Sequence, residues 1–153
     1  MDSRTELTPG VPRPWLLSNT TYEGYPTYFR RPDIRVSEFE SLRPRFPVLL
    51  TVTHHLGAVK SNGLPESEYN LSLMDLDSAL LEPFEEELHG LVAVVETFAG
   101  KRTYYLYVSA SFDLDEFERA ITSCHADVRM AWERDDDPTW RLFRGYARDF
   151  QFP

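Results

Sequence analysis

Cysteine is nearly absent from this 153-residue chain: Cys124 stands alone, which excludes an internal disulfide and any zinc site built on paired cysteines. No apolar run approaches the roughly 20 residues of a membrane helix. The opening MDSRTELTPGVPRPW also lacks the basic-then-apolar order of a secretory signal, so a cytoplasmic protein with no membrane contact is expected. The glycines at 10, 24, 57, 63, 90, 100 and 145 never cluster into a loop that could cradle phosphate. Bases are missing altogether from residues 61–87, which hold eight acids. The segments 1–60, 61–87 and 88–153 carry +2, −8 and −3, so most of the net charge of −9 is concentrated in the middle. That field repels a phosphate backbone and argues against nucleic-acid binding, while favouring a basic protein partner.

What is present points to one domain. Apolar residues make up 42% of the chain and aromatics 14%, enough for a single core. Residues 1–14, with Pro9, Pro12 and Pro14, read as a flexible lead-in to a domain over 15–153. Tyr22-Glu23-Gly24-Tyr25-Pro26 is a turn signal, so residues 15–31 suit a hairpin or an added edge strand. Val48–Thr53 is a β-branched strand run. The spacing of Tyr69, Leu73, Leu76, Leu80 and Phe84 predicts one helix, starting near Pro65 and ended or kinked by Pro83. Leu91–Thr97 and Tyr104–Val108, separated by Ala99-Gly100-Lys101-Arg102, predict an antiparallel hairpin.

Asp113 or Asp115 caps a second helix whose apolar stripe is Leu114, Phe117, Ala120, Ile121 and Cys124. Val128, Met130 and Trp132 alternate with polar residues as a half-buried strand does. Asp137 then reads as the N-cap, and Pro138 as the first residue, of a terminal helix with Trp140, Phe143, Ala147 and Phe150 inward. The order strand, helix, strand, strand, helix, strand predicts an α+β fold with a ferredoxin-like βαββαβ antiparallel sheet and two helices on one face. The N-terminal strand material and the C-terminal helix are additions to it.

Few residues point to chemistry. Adjacent His54 and His55 face opposite sides of a strand and cannot share a metal easily, and His89 and His125 have no ligand-spaced partner, so no metal or cofactor is expected. No G-x-S-x-G turn marks a nucleophile. Cys124, on an apolar stripe, reads as a small core residue. Tyr105 and Tyr107 share one strand face and Tyr104 takes the other; core packing explains them better than base stacking, because bases are sparse around them.

Trp15, Tyr22-Glu23-Gly24-Tyr25-Pro26, Arg30, Phe46-Pro47, Gly63-Leu64-Pro65, the run Ala99 to Val108 and Asp137-Pro138-Thr139-Trp140 together resemble the bacterial domain of unknown function 695 family, over about residues 15–150. Its most specific elements are the Asp-Pro-x-Trp near the C-terminus and the Gly-x-Arg-x-x-Tyr-x-Tyr-Val-like hairpin. The resemblance implies no activity and carries over no catalytic residue. The acidic βαββαβ plan is more faintly similar to ribonuclease E inhibitor-type regulators, which implies a protein-binding inhibitor.

Two functional expectations follow. The first is a non-enzymatic module that binds a basic partner, as a regulator or an immunity-type inhibitor of a nuclease or toxin, through Asp75, Glu82, Glu85, Glu86 and Glu87. The alternative is an enzyme or small-molecule sensor with a pocket between the sheet and the terminal elements, formed by Trp15, Arg30, His54, Tyr107 and Trp140. Self-association as a homodimer through an exposed sheet face stays open beside both.

Overall fold

The computed structural model describes residues 13–149, without the side chains of Val36 and of 147–149. Along the chain run β1 (Trp15–Tyr22), β2 (Tyr25–Pro32), α1 (Val36–Leu42), β3 (Val48–His55), α2 (Ser67–Ser72), α3 (Met74–Leu81), a single 3-10 turn (Glu82–Phe84), β4 (Gly90–Phe98), β5 (Lys101–Val108), α4 (Leu114–Cys124), β6 (Arg129–Asp136) and α5 (Arg141–Asp149). The fold is a mixed α+β arrangement around one antiparallel sheet in the order β1-β2-β4-β5-β3-β6.

The sheet has six strands, where the expected βαββαβ core has four. The hairpin β1–β2 turns through Glu23 and Gly24, both at positive φ, as a tight two-residue loop requires. It then joins the sheet at β4, through Tyr28, Phe29 and Arg30, and makes six strands. The helices α3 and α4 share one face, as expected, and α1 and α5 cover the other. On the first face Leu76, Leu80 and Leu81 of α3, Phe84 and Ile121 pack on the strand residues Leu50, Val52, Tyr104 and Leu106. On the other, Leu42 beside Phe46, and Trp140 and Phe143, pack on Leu49, Leu91, Ala93 and Tyr107. The period of two on β3 and β5 feeds alternate residues to each core.

Three local expectations are corrected. The stripe is buried from Leu73 to Phe84, yet it does not run along one helix: Tyr69 lies on α2, Leu76 and Leu80 on α3 and Phe84 in the 3-10 turn, with Leu73 between the two helices at φ −85° and ψ 0°. Cys124 closes α4 and is exposed, so it is no core residue; the helix buries Ile121 instead. The terminal helix starts at Arg141, not Pro138, because Trp140 adopts φ 54° and turns the chain first. Its inward residues Trp140 and Phe143 are buried as expected, while the Ala147 side chain and Phe150 lie outside the described residues. Of the expected lead-in, residues 1–12 lie outside the description too. Arg13 is buried against Glu87 and Glu38, and the Pro14 carbonyl accepts from Asp33 N–H at 2.9 Å.

Candidate functional site

The hairpin β1–β2 widens the sheet beyond the reach of α2 and α3, and the uncovered floor leaves a cleft of about 810 Å³. Leu17 and Asn19 of β1, Tyr28 and Arg30 of β2, Val95 and Thr97 of β4 and Arg102 of β5 form its floor. Asn70, Leu71, Met74 and Asp77 form the helical wall, and Lys60, Leu64 and Pro65 the loop wall. Leu17, Leu71 and Met74 are each more than 60% exposed, so the cleft presents open apolar surface.

The loop wall is pinned from below. Gly100 N–H donates to the Gly63 carbonyl at 2.8 Å, and Leu56 N–H to the Gly100 carbonyl at 2.9 Å. Gly63 has φ +85°, and a Cβ there would lie 2.8 Å from Ala99 Cα, so only glycine fits. Tyr69 of α2 accepts Gly57 N–H at 2.8 Å, which ties the helical wall to the same loop.

Two arginines in the cleft differ in how their charge is met. Arg30 lies 5.3 Å over the Trp15 ring and is ion-paired with Asp77, whose same Oδ1 accepts the Tyr104 hydroxyl at 2.9 Å. Burial, reinforced by the Asp77 charge, pushes the Tyr104 phenol well above its usual range and keeps it a donor. Arg102 instead donates Nε–H to Thr97 Oγ1 at 3.0 Å and Nη2–H to Asn70 Oδ1 at 2.7 Å. Both acceptors are neutral. Among the described residues no carboxylate pairs with Arg102, and the side chain of Lys60 at the rim is likewise exposed and unpaired.

Behind Arg102, directly across from it on β3, His54 is 1% exposed and its Nδ1 has no hydrogen-bond partner among the described residues. Burial, then the charges of Arg102 and His55, push its pKa down to about 4, so it is neutral near pH 7.

The sequence-predicted residues are scattered. Asp75, Glu82, Glu85 and Glu86 are exposed but outside the cleft, and Glu87 is half-buried in its pair with Arg13. Arg30 lines the cleft with Trp15 against it, and His54 lies behind it. Tyr107 and Trp140 are on the opposite face, stacked at 4.4 Å in the second core. There the Tyr107 hydroxyl donates to Asp137 Oδ2 at 2.7 Å, and Trp140 Nε1–H donates to the Phe46 carbonyl at 2.8 Å. Sequence reasoning missed Lys60, Asn70, Asp77 and Thr97 as site residues; Arg102 was visible only as part of the hairpin pattern. Among the described residues no three His, Cys, Asp or Glu side chains gather as metal ligands would. No described helix is long and apolar enough to cross a membrane.

Both the Arg102 hairpin and the Tyr107–Asp137–Trp140 unit fall within residues 15–147, which match the model of a family of unknown function (DUF695). The chain belongs to the DUF695 family. The resemblance to ribonuclease E inhibitor-type regulators finds no support in the comparisons. No curated protein and no solved structure matches this DUF695 chain. Of the residues that carried the family resemblance, Tyr107, Asp137 and Trp140 build the second core, whereas Trp15, Arg30 and Arg102 stand at the cleft.

Proposed function

We propose that this chain is a non-enzymatic binding module whose cleft takes a small ligand with an apolar body and one anionic group. The observation that carries this reading is Arg102, a cleft cation held only by the neutral acceptors Thr97 and Asn70 among the described residues. An arginine fixed by neutral partners keeps its charge for a further anion, and charge-assisted bonds to a carboxylate are among the stronger polar contacts. Lys60 adds a second positive charge at the rim, and Leu17, Leu71 and Met74 supply apolar contact. The cytoplasmic setting expected from the sequence belongs to the same reading.

Decanoate is a suitable probe, followed by amide chemical shifts of the full chain. Shifts are expected to centre on Asn70, Thr97 and Arg102, and Arg102→Gln is expected to weaken binding about 10-fold or more. Met74→Glu, at an exposed wall position, is expected to weaken it too by repelling the carboxylate. Unchanged affinity in both variants would falsify the reading.

A second reading keeps the acidic segment as the docking surface for a basic protein, in the manner of a regulator or immunity-type inhibitor. It is supported by Asp75, Glu82, Glu85 and Glu86, all exposed and outside every ion pair of the described residues. A basic partner captured from cells at low salt is expected to be lost on reversal of Glu82, Glu85 and Glu86 to Lys. Retention by that triple variant removes this surface from the interface. Glu87 is left alone because it neutralises buried Arg13.

A further inference from the structure

Seven of the eight tyrosines are engaged through their side chains, either by a hydroxyl hydrogen bond, as Tyr69 and Tyr104 are, or by a ring contact, as Tyr22 and Tyr25 are against Phe98. Tyr28 is the exception. Among the described residues neither its ring nor its hydroxyl has a partner, and it is 48% exposed. Its neighbours on β2 show how this arises: Thr27 and Phe29 are buried, Phe29 against Tyr146 of α5, and strand alternation turns Tyr28 the other way, onto the floor of the cleft.

Residues directly opposed in an antiparallel sheet share a face. Tyr28 stands opposite Thr97, and Thr97 opposite Arg102, so the three make one row across β2, β4 and β5 on the cleft floor. Two strand spacings put the backbones of Tyr28 and Arg102 about 10 Å apart. The bond from Arg102 Nε–H to Thr97 leans the guanidinium toward the ring, and its one further bond goes to Asn70. Most of its N–H donors therefore remain for an anion. Leu71 and Met74 of the helical wall, both exposed, border the same space.

We infer that Tyr28 is a specificity-determining residue of the cleft, a stacking platform that selects ligands whose apolar body is an aromatic ring joined by a short flexible spacer to the anion at Arg102. This rests on the reading of the cleft as a site for an apolar ligand with one anionic group. The row sets the order of the parts: the ring over β2, the spacer over Thr97 of β4 and the anion at β5. A flat ring laid on a tyrosine gains the attraction of offset stacking beyond the area it buries, and the Met74 thioether offers a polarizable contact from the wall. An aliphatic body gains the buried area alone.

Two acids that differ only in the saturation of their ring, 5-phenylpentanoate and 5-cyclohexylpentanoate, test this when titrated into the full chain beside decanoate and followed by amide shifts. Cyclohexyl is the larger and more hydrophobic group, so a cleft that only buries apolar surface prefers it. The phenyl acid is instead expected to bind about 3-fold tighter or more, with its largest additional shift at Tyr28. Tyr28→Phe is expected to keep that preference, and Tyr28→Leu to abolish or reverse it. Each preference is a ratio of two affinities measured on one variant, so a change in that variant's stability does not mimic it. A cyclohexyl acid that binds the native chain as tightly as the phenyl acid overturns the stacking role of Tyr28, as does a preference retained in Tyr28→Leu. If decanoate binds in those cases, the anion-site reading stands without it; failure of all three acids to bind overturns both.

Discussion

At the scale of single residues, His54 gives the clearest pH dependence. Its pKa falls from an ordinary value near 6.5 to about 4 in the folded chain, through burial and the neighbouring charges of Arg102 and His55. The unfolded chain therefore takes up a proton first as the medium is acidified. Stability is complete above pH 6.5 and is lost as pH falls from there toward 4, by about 2 kcal/mol at pH 5. Carboxylates act lower down. Asp137 is pulled upward by burial, but the Tyr107 hydroxyl and the Arg141 and Leu142 amides outweigh this and hold its pKa below the usual range. Glu38 is held low first by Arg13, so the contributions of both are lost only at more acid pH. Urea unfolding at pH 7 and pH 5 is expected to show the loss in the native chain and much less of it in His54→Leu. Equal losses in both would assign the pH dependence to other groups. Strand alternation made the opposite facing of His54 and His55 legible in the sequence; the register that sets Arg102 across from His54 was not, since no local pattern encodes it.

Among the elements, α5 depends on one side chain. Asp137 accepts Arg141 N–H at 2.9 Å and Leu142 N–H at 3.1 Å, capping the helix, and also takes the buried Tyr107 hydroxyl. Asp137→Ala removes all three, and a cost of about 2–4 kcal/mol is expected, adding a lost cap to an unsatisfied hydroxyl. Asp137→Asn, which keeps an acceptor, is expected to cost less. Thermal and urea unfolding measure both, and an alanine cost no greater than that of asparagine would separate α5 from its cap. The capping role was legible in the Asp-Pro pair. The start of the helix was misplaced because Trp140 takes a left-handed backbone rarely adopted by a bulky residue, held there by stacking on Tyr107 and its bond to Phe46. For residues 66–84 the apolar spacing identified the buried side correctly, since periodicity reports facing; it does not report the break at Leu73.

For the molecule as a whole, local patterns revealed the strands but not their order. Hairpin β1–β2 was readable from its turn; its attachment to β4 joins residues 28–30 to residues 95–97, a distant pairing that the sequence does not display. The cleft was unreadable for the same reason, because it exists only where the added hairpin outruns the helices. The second core has a comparable long-range origin: Ile34, Leu42 and Phe46 come from the first third of the chain, and Trp140 and Phe143 from its last part. The first core is supplied entirely between Val48 and Trp132. During synthesis, which proceeds from the N-terminus, one side of the sheet can thus be sealed while the other still waits for Trp140. Phe46, Leu49, Leu91 and Tyr107 spend that interval without their lid, so the newborn chain is most vulnerable to aggregation on the face that the finished protein hides.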